Sequence, residues 1–454
     1  MFQSKNPIDG SLVTSIQGTS ENELAKVCES SKEAYASWSR RPTTERAHKL
    51  LSIANTLRER KSEYGRLMAL EMGKPISEGV AEAEKCAWVC EFYAENAARF
   101  LSDELIPSSA KKSYVAYRPI GSVLAIMPWN FPFWQVFRAA APAISAGNTM
   151  ILKHAENVVG CAREIQRLFD ESDIPTGVFQ TVFFFFFSVA ALIENPVVQG
   201  VTLTGSTRAG REVAQRAGRA LKKTVLELGG SDPYVVLADA DLEHAVSACV
   251  TSRMINNGQS CIAAKRFIVE DSIAKAFIDG VRARLGEVVM GDPLDESVTL
   301  GPLARPDLRD ALHEQVSSSV AAGARALLGG QVPEGPGAYY PATLLVDVEP
   351  GMAAFDDELF GPVASVIRAR SEEEAIRLAN QSSYGLGAAV FTADVERGER
   401  IAADELNAGA CFVNDFVRSD PRLPFGGIRD SGYGRELAGH GIREFANAKT
   451  VYLA

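Results

Sequence analysis

Histidine and cysteine are both scarce in this chain, with 5 and 7 copies in 454 residues, and that scarcity removes several function classes. The histidines, His48, His154, His244, His313 and His440, stand in no recognisable nucleophile-base arrangement, so a hydrolase built on a Cys-His pair lacks its base. The cysteines, Cys28, Cys86, Cys90, Cys161, Cys249, Cys261 and Cys411, are too scattered for a disulfide framework, and such usage fits a reducing cytoplasm. Cys86 and Cys90 stand one helical turn apart without a His or third Cys to complete a metal set, so no metal is expected.

Positive charge is also in deficit. Lys and Arg number 47 against 57 Asp and Glu, a net charge of -10, which disfavours a nucleic-acid surface, since that needs clustered excess cations. No nucleic-acid partner is expected. No apolar run reaches the roughly 20 residues that cross a bilayer, and the most apolar stretch, Val182 to Ile193, is too short. The first residues, Met1-Phe2-Gln3-Ser4-Lys5-Asn6-Pro7, lack the apolar core of a signal peptide. These absences predict a soluble cytoplasmic protein with no membrane partner.

What is present fits a large globular chain. Hydrophobic residues at 46% and charged residues at 23% are ordinary proportions, and the length exceeds one core, so two or three domains are expected. From Glu21 to about Phe100 apolar residues recur at helical spacing, as in Ala47, Leu50, Leu51, Ala54 and Leu57, with Gly73 and Pro75 as punctuation. Tyr114 to Met127 turns to strands. Strand-like runs at Thr149 to Leu152, Gln180 to Val182, Val201 to Thr204 and Thr224 to Leu228 then alternate with helical ones. The pattern resumes at Arg266 to Val269, Ala364 to Ile367, Gly387 to Phe391 and Ala410 to Asn414. Alternation of this kind predicts βαβ units and a mainly parallel sheet, hence an α/β nucleotide-binding architecture with two such domains. The tail Ala446 to Leu453 reads as a strand in need of a partner edge, which a neighbouring subunit could supply.

Two residues break their local pattern. Cys261 follows Asn256-Asn257-Gly258-Gln259-Ser260 and so sits in a polar turn, while Glu227 interrupts a β-like stretch just before Gly229-Gly230. A thiol becomes a strong nucleophile only on losing its proton, and a nearby carboxylate can take that proton directly or through water. Asn130, in Pro128-Trp129-Asn130-Phe131-Pro132, falls at the carboxyl end of an apolar strand, where α/β proteins build their sites. Its amide can donate to an oxyanion or cap a helix. Thr204-Gly205-Ser206 ends a strand and opens a helix whose N-terminus could meet a pyrophosphate, a weak signal alone.

Taken in order, Pro128 to Pro132, Lys153 to Glu156, Thr204 to Ser206, Leu226 to Gly230, Gly258 to Cys261, Glu358 to Pro362 and Pro424 to Gly427 resemble the aldehyde dehydrogenase superfamily from Asn6 to the end. The resemblance implies a Rossmann-type cofactor domain at 1–98 and 121–229, an α/β catalytic domain at 230–428 and a bridging, oligomerising element at 99–120 and 429–454. It implies a homodimer or homotetramer. In that family's pattern Cys261 attacks the aldehyde, Asn130 steadies the oxyanion and Glu227 activates the water that hydrolyses the thioester. Trp129, Lys153, Glu156, Gly205, Ser206, Leu228, Glu358 and Phe360 match cofactor-binding positions. A carboxylate at Glu156 accepts ribose hydroxyls and repels a 2'-phosphate, so NAD is expected over NADP. Glu227 also argues against relatives that pass the acyl group to coenzyme A.

Two features depart from the pattern or extend it. Phe183 to Phe187 is a run of phenylalanine where relatives carry a polar, Gly-containing segment; core, a reshaped adenine site and a sequence artefact are the three readings. No second Cys flanks Cys261, whose neighbours are Ser260, Ile262 and Ala263, so no local disulfide switch is available. For the substrate, Trp134 and Arg138 lie four and eight residues beyond Asn130, on one helix face. A guanidinium in the apolar run Phe137 to Ala141 needs an anion, either a substrate carboxylate or an acid elsewhere in the chain. The loop Asn414 to Pro424, with Ser419, resembles the substrate-anchor loop of succinate-semialdehyde dehydrogenases, and Trp134 and Phe416 read as tunnel walls or core aromatics. Succinate semialdehyde is therefore the expected substrate; another aldehyde, or a non-catalytic binding protein on the same fold, are the alternatives.

Overall fold

The computed structural model describes residues 1–184 and 187–454, with Phe187 and Ser188 by backbone alone. The strand Phe2–Lys5 pairs antiparallel with Leu12–Ile16 ahead of the helical opening. Helices Glu21–Trp38, Thr43–His48, Leu50–Glu59, Lys61–Met72 and Ile76–Phe100 follow. Ser20 starts the first with a reciprocal capping box to Glu23. Gly73 ends the fourth at φ 82°, a left-handed conformation that an added Cβ would disfavour.

Among the described residues the next strands form a sheet in the order Gly432–Tyr433, Lys223–Glu227, Val198–Thr204, Ser122–Met127, Thr149–His154, Phe179–Val182. All neighbours run parallel except Gly432–Tyr433. Ser122–Met127 and Thr149–His154 are buried at every position, as a parallel sheet covered on both faces requires. A second sheet orders Arg325–Leu328, Thr343–Val346, Val363–Ala369, Ala264–Glu270, Asp232–Val236, Gly387–Phe391 and Ala410–Val413, parallel apart from its antiparallel edge Arg325–Leu328. Asp232–Val236, Arg325–Leu328 and Thr343–Val346 are strands the periodicity did not single out. They are four or five residues long, too short to display a period.

The tail strand Ala446–Leu453 pairs with Lys112–Pro119 of the same chain over eight residues, so the edge it needs is supplied internally. Arg443 fixes this region by donating from Nε to the Phe100 carbonyl at 2.8 Å. Of the phenylalanine run, Phe184 is 5% exposed and packs in the cluster containing Leu124, Ile126 and Leu203. The Phe183 N–H donates to Thr19 Oγ1 at 2.9 Å. Phe185 and Phe186 lie outside the described residues. Among the described residues no helix is long and apolar enough to cross a membrane, and among them no group of three His, Cys, Asp or Glu is placed to hold a metal ion.

Candidate active site

Cys261 lies in the turn that follows the short helical segment Ile255–Gly258 and precedes the strand Ala264–Glu270. The approach to it is left-handed: Asn256, Asn257 and Gly258 have φ of 60°, 57° and 73°. Asparagine tolerates that region because its amide can hydrogen-bond locally. Here Asn257 Nδ2 donates to the carbonyls of Gly73 and Pro302 at 2.8 and 3.0 Å, and Asn256 Nδ2 to those of Asn130 and Gln259 at 2.8 and 2.9 Å. At Gly258 an added Cβ would run into the Gly361 backbone. Lys265, itself buried, donates to the carbonyls of Ser260 and Cys261 at 2.8 and 2.6 Å. The turn is thus held by side chains rather than by a sheet.

Burial pushes the Cys261 thiol up to about 12, with Arg138 and Lys265 pulling it down and Glu358 and Glu227 raising it further. The thiol is therefore protonated at rest, and a base is needed to make it a nucleophile. Asn130, 4% exposed, donates from Nδ2 to the Gln259 carbonyl at 3.1 Å, two residues before the thiol. This ties the amide group to the thiol turn.

Glu227 ends its strand buried at 1% exposure, and neither carboxylate oxygen has a hydrogen-bond partner among the described residues. Burial raises its pKa well above the carboxylate range, and the Glu436 charge adds to the shift, against Arg138 and Arg435. An ideal Cβ on Gly426 would lie 2.7 Å from Glu227 Oε1, so the Gly-rich Phe425-Gly426-Gly427 segment makes room for the acid. Arg138 Nε is ion-paired with Glu436, its Nη2 donates to Thr204 Oγ1 at 3.2 Å, and its guanidinium lies 4.7 Å from the Phe425 ring centre. Of the two anions considered for Arg138, the acid elsewhere in the chain is present.

A cavity of about 290 Å³ opens against the thiol, walled by Cys261, Trp134, Arg138, Phe416, Ser419 and Lys85. Trp134, Arg138 and Ser419 are buried at 3%, 2% and 5% exposure. The structure thus brings the three sequence-derived substrate residues to the same hollow as the thiol. Glu227 and Asn130 are not part of that lining; the charge of Glu227 is felt at the thiol, and Asn130 is bonded to the turn that carries it.

The nucleotide-side residues gather at the carboxyl ends of the first sheet. Trp129 follows Ser122–Met127, Lys153 lies in Thr149–His154, Glu156 begins the turn after it, and Gly205 and Ser206 follow Val198–Thr204. Ser206 caps the helix Thr207–Arg219 by accepting from the Ala209 N–H at 3.3 Å. The nearest atom to a Cβ added at Gly205 would be Leu203 Cδ1, at 3.8 Å, so the backbone there is open to a close approach. Burial lowers the Lys153 pKa while Glu156 raises it. The Glu156 side chain is exposed. Leu228 is buried against Gly210. Glu358 Oε1 accepts the Gly230 N–H at 3.1 Å and lies 3.4 Å from Lys265 Nζ, and Phe360 meets Trp129 edge to face at 5.8 Å. The arrangement fits a dinucleotide: an open glycine and a helix N-terminus after one strand, and a lysine and an acid at the end of another.

Residues 1–451 match the model of the aldehyde dehydrogenase family. The chain belongs to that family. It is 46% identical to the probable succinate-semialdehyde dehydrogenase (NADP(+)) of Synechocystis sp., covering 99% of both chains. It is 45% identical to the succinate semialdehyde dehydrogenase (NAD(P)+) Sad of Escherichia coli, covering 98% of this chain and 96% of that one. Among solved structures it is similar to the Streptococcus pyogenes succinic semialdehyde dehydrogenase in complex with NADP+, with a TM-score of 0.97, 34% identity and full coverage of both chains. It superposes on Gox0499 with a TM-score of 0.98 at 38% identity, covering 100% of this chain and 99% of that one. As an aldehyde dehydrogenase, the protein is an oxidoreductase of the α/β class.

In this family member, two site residues escaped the sequence reading. Glu436 is the anion that Arg138 meets, and nothing in a linear pattern joins positions so far apart. Lys85 reaches the cavity from the helix Ile76–Phe100, where Glu78, Ala81, Glu82 and Lys85 line the wall. Their i, i+3, i+4, i+7 spacing marks one helix face, and a charged stripe at that spacing was the available signal.

Proposed function

We propose that the chain oxidises succinate semialdehyde to succinate with NAD(P), through a thiohemiacetal and then a thioester on Cys261. The observation that carries this reading is the cavity in which Cys261 shares walls with the buried Arg138 and Ser419, a hollow shaped for a short chain with a polar far end. The names of the relatives at 45% and 46% identity support it. Another short or aromatic aldehyde is the competing substrate.

The Cys261 thiol gives up its proton to solvent water, the thiolate adds to the aldehyde carbon, and the former carbonyl oxygen becomes an oxyanion. Asn130 Nδ2, already aimed at the thiol turn, donates to that oxygen with the Cys261 backbone N–H. NAD(P), when bound, supplies the two-electron acceptor. Lys153 and Glu156 would hold the adenosine ribose, Gly205 and Ser206 the pyrophosphate, and Glu358, Phe360, Trp129 and Leu228 the nicotinamide end. Glu227, with no internal partner for its oxygens, accepts a proton from the water that hydrolyses the thioester, releasing the acid. Glu156 makes NAD the preferred form.

The same reading divides the chain into a cofactor domain at 1–98 and 121–229, a catalytic domain at 230–428 and a bridging element at 99–120 and 429–454. Gly432–Tyr433 of that element adds a short antiparallel strand to the cofactor-domain sheet. A homodimer or homotetramer is part of the proposal, since Ala446–Leu453 pairs on one side and ends its sheet on the other. Light scattering tests the assembly.

The test of the activity is reduced-cofactor absorbance with NAD and succinate semialdehyde, run beside NADP and beside hexanal. A strong signal with the semialdehyde supports the proposal. A signal mainly with hexanal leaves the cysteine chemistry standing and discards the carboxylate-bearing substrate.

A further inference from the structure

Among the described residues, most charged side chains around the cavity have a partner. Arg138 is taken by Glu436. Arg418, exposed at the rim, is 2.7 Å from Asp415, and Asp420 is held by Arg422 at 2.6 Å. Glu82 is ion-paired with Lys74, and its Oε1 accepts the N–H groups of Phe133 and Trp134 at 2.8 and 2.9 Å. Glu78 Oε2 accepts the Asn256 N–H at 2.7 Å. Lys85 remains: among the described residues no carboxylate lies within ion-pair distance of its Nζ, which donates to Ser419 Oγ at 2.9 Å and stands 4.3 Å from the Trp134 ring centre.

We propose that Lys85, together with Ser419, is the anchor for the substrate's distal carboxylate, an assignment that rests on the semialdehyde reading above. An ammonium carries three N–H donors. One is spent on Ser419, leaving two for a carboxylate in the cavity. The Trp134 face steadies the cation without neutralising it, and Ser419 keeps it aimed at the hollow. Arg138, already ion-paired, contributes little net charge, so selection for an anionic aldehyde falls to Lys85.

The titration of Lys85 supplies a second handle. Burial, with Arg138 adding, brings its pKa down to about 8, against Cys86, Glu82 and Asp420, which raise it. The charged or titratable groups facing it are therefore Glu82 and Cys86 on its own helix, Arg138 on Trp134–Ala146, and Arg418 and Asp420 on the loop that carries Ser419. The substrate carboxylate stays ionised throughout the alkaline range, so of the two groups that would meet, only the anchor changes above about pH 8.

The experiment compares succinate semialdehyde with butanal, which has the same carbon count and no carboxylate, in wild type, Lys85→Met and Lys85→Arg. Lys85→Met is expected to raise KM for the semialdehyde about 10- to 100-fold, the usual worth of a charge-assisted hydrogen bond, and far more than for butanal, with Lys85→Arg restoring most of the difference. Equal losses on both aldehydes overturn the assignment. Because a substitution inside a helix can disturb folding, the wild type is also read alone: the ratio of kcat/KM for semialdehyde over butanal should fall as pH rises past about 8. Changes at Cys261 cancel in that ratio. A ratio flat from pH 7 to 10 overturns the proposal. A wild type that prefers butanal at pH 7 overturns both this and the substrate reading, whereas a semialdehyde preference kept intact in Lys85→Met overturns only the role of Lys85.

Discussion

Arg138 and Glu436 form an ion pair in which the two side chains are only 2% and 5% exposed, and Glu227 senses both of their charges. A buried pair of this kind contributes little net stability when intact, yet breaking it strands a charge in a poorly solvated place. The guanidinium therefore pairs with one buried carboxylate and lowers the pKa of a second by its charge alone.

Replacing Arg138 by Ala should cost about 3–5 kcal/mol of stability, the typical penalty for removing one partner of a buried pair. The loss is read as a lower denaturation midpoint, with Arg138→Lys recovering part of it. The same change leaves only Arg435 to offset the repulsion of Glu227 by Glu436, so the pH at which turnover rises should move upward. An Ala variant as stable as wild type would show that the pair is not engaged in solution.

Glu227→Gln should separate acylation from hydrolysis. With no base for the attacking water, a rapid burst of about one reduced cofactor per site should precede a steady rate lower by roughly 10²- to 10⁴-fold, the range for losing general-base assistance. In the wild type the base works only when deprotonated. Burial and Glu436 raise its pKa, so kcat should climb with pH above the ordinary carboxylate range. A linear trace without a burst would place the slow step before the thioester.

Without cofactor or substrate, the Cys261 thiol should react sluggishly with iodoacetamide. A pKa near 12 leaves roughly one thiolate in 10⁵ at pH 7, and the fraction rises tenfold for each pH unit until the pKa is reached. Inactivation rates should follow that slope from pH 7 to 10. A plateau below pH 9 would mean that Lys265 and Arg138 lower the thiol more than its burial raises it.

Glu156→Ser should move the ratio of kcat/KM for NADP over NAD upward by tenfold or more, by removing the charge that repels a 2'-phosphate. Lys153 lies close enough to Glu156 to feel its charge, and so does Arg305. These cations would favour the phosphate once the acid is gone. A wild type that already favours NADP would remove Glu156 from cofactor choice.

The parallel strands were legible because a run such as Val123 to Met127 carries apolar side chains on both faces and is bounded by Gly121 and Pro128, while Val201 to Thr204 alternates apolar residues with threonine ahead of Gly205. Cys261 and Glu227 were legible for the opposite reason, since each is a polar interruption that packing alone would not keep. The short strand Asp232–Val236 was hidden, because it opens on Asp232-Pro233 and its five residues are too few for a period. The partner of Ala446–Leu453 was hidden as well: the strand's own pattern is visible, but its pairing with Lys112–Pro119 spans most of the chain. Glu436 and Lys85 belong to the same class. Each looks like an ordinary charged residue on its own element, and only the meeting of Arg138 with one and of Ser419 with the other reveals a role.

The pairing of Gly432–Tyr433 beside Glu227, and of Glu436 with Arg138, gives synthesis on the ribosome a built-in order. Cys261, Asn130 and Glu227 emerge long before the segment that completes their surroundings. A growing chain can build much of the first sheet, yet its Arg138 has no counter-ion until residue 436 has left the exit tunnel. Competence to turn over an aldehyde therefore waits on residue 436, and a chain terminated before it should carry the nucleophile without the enzyme.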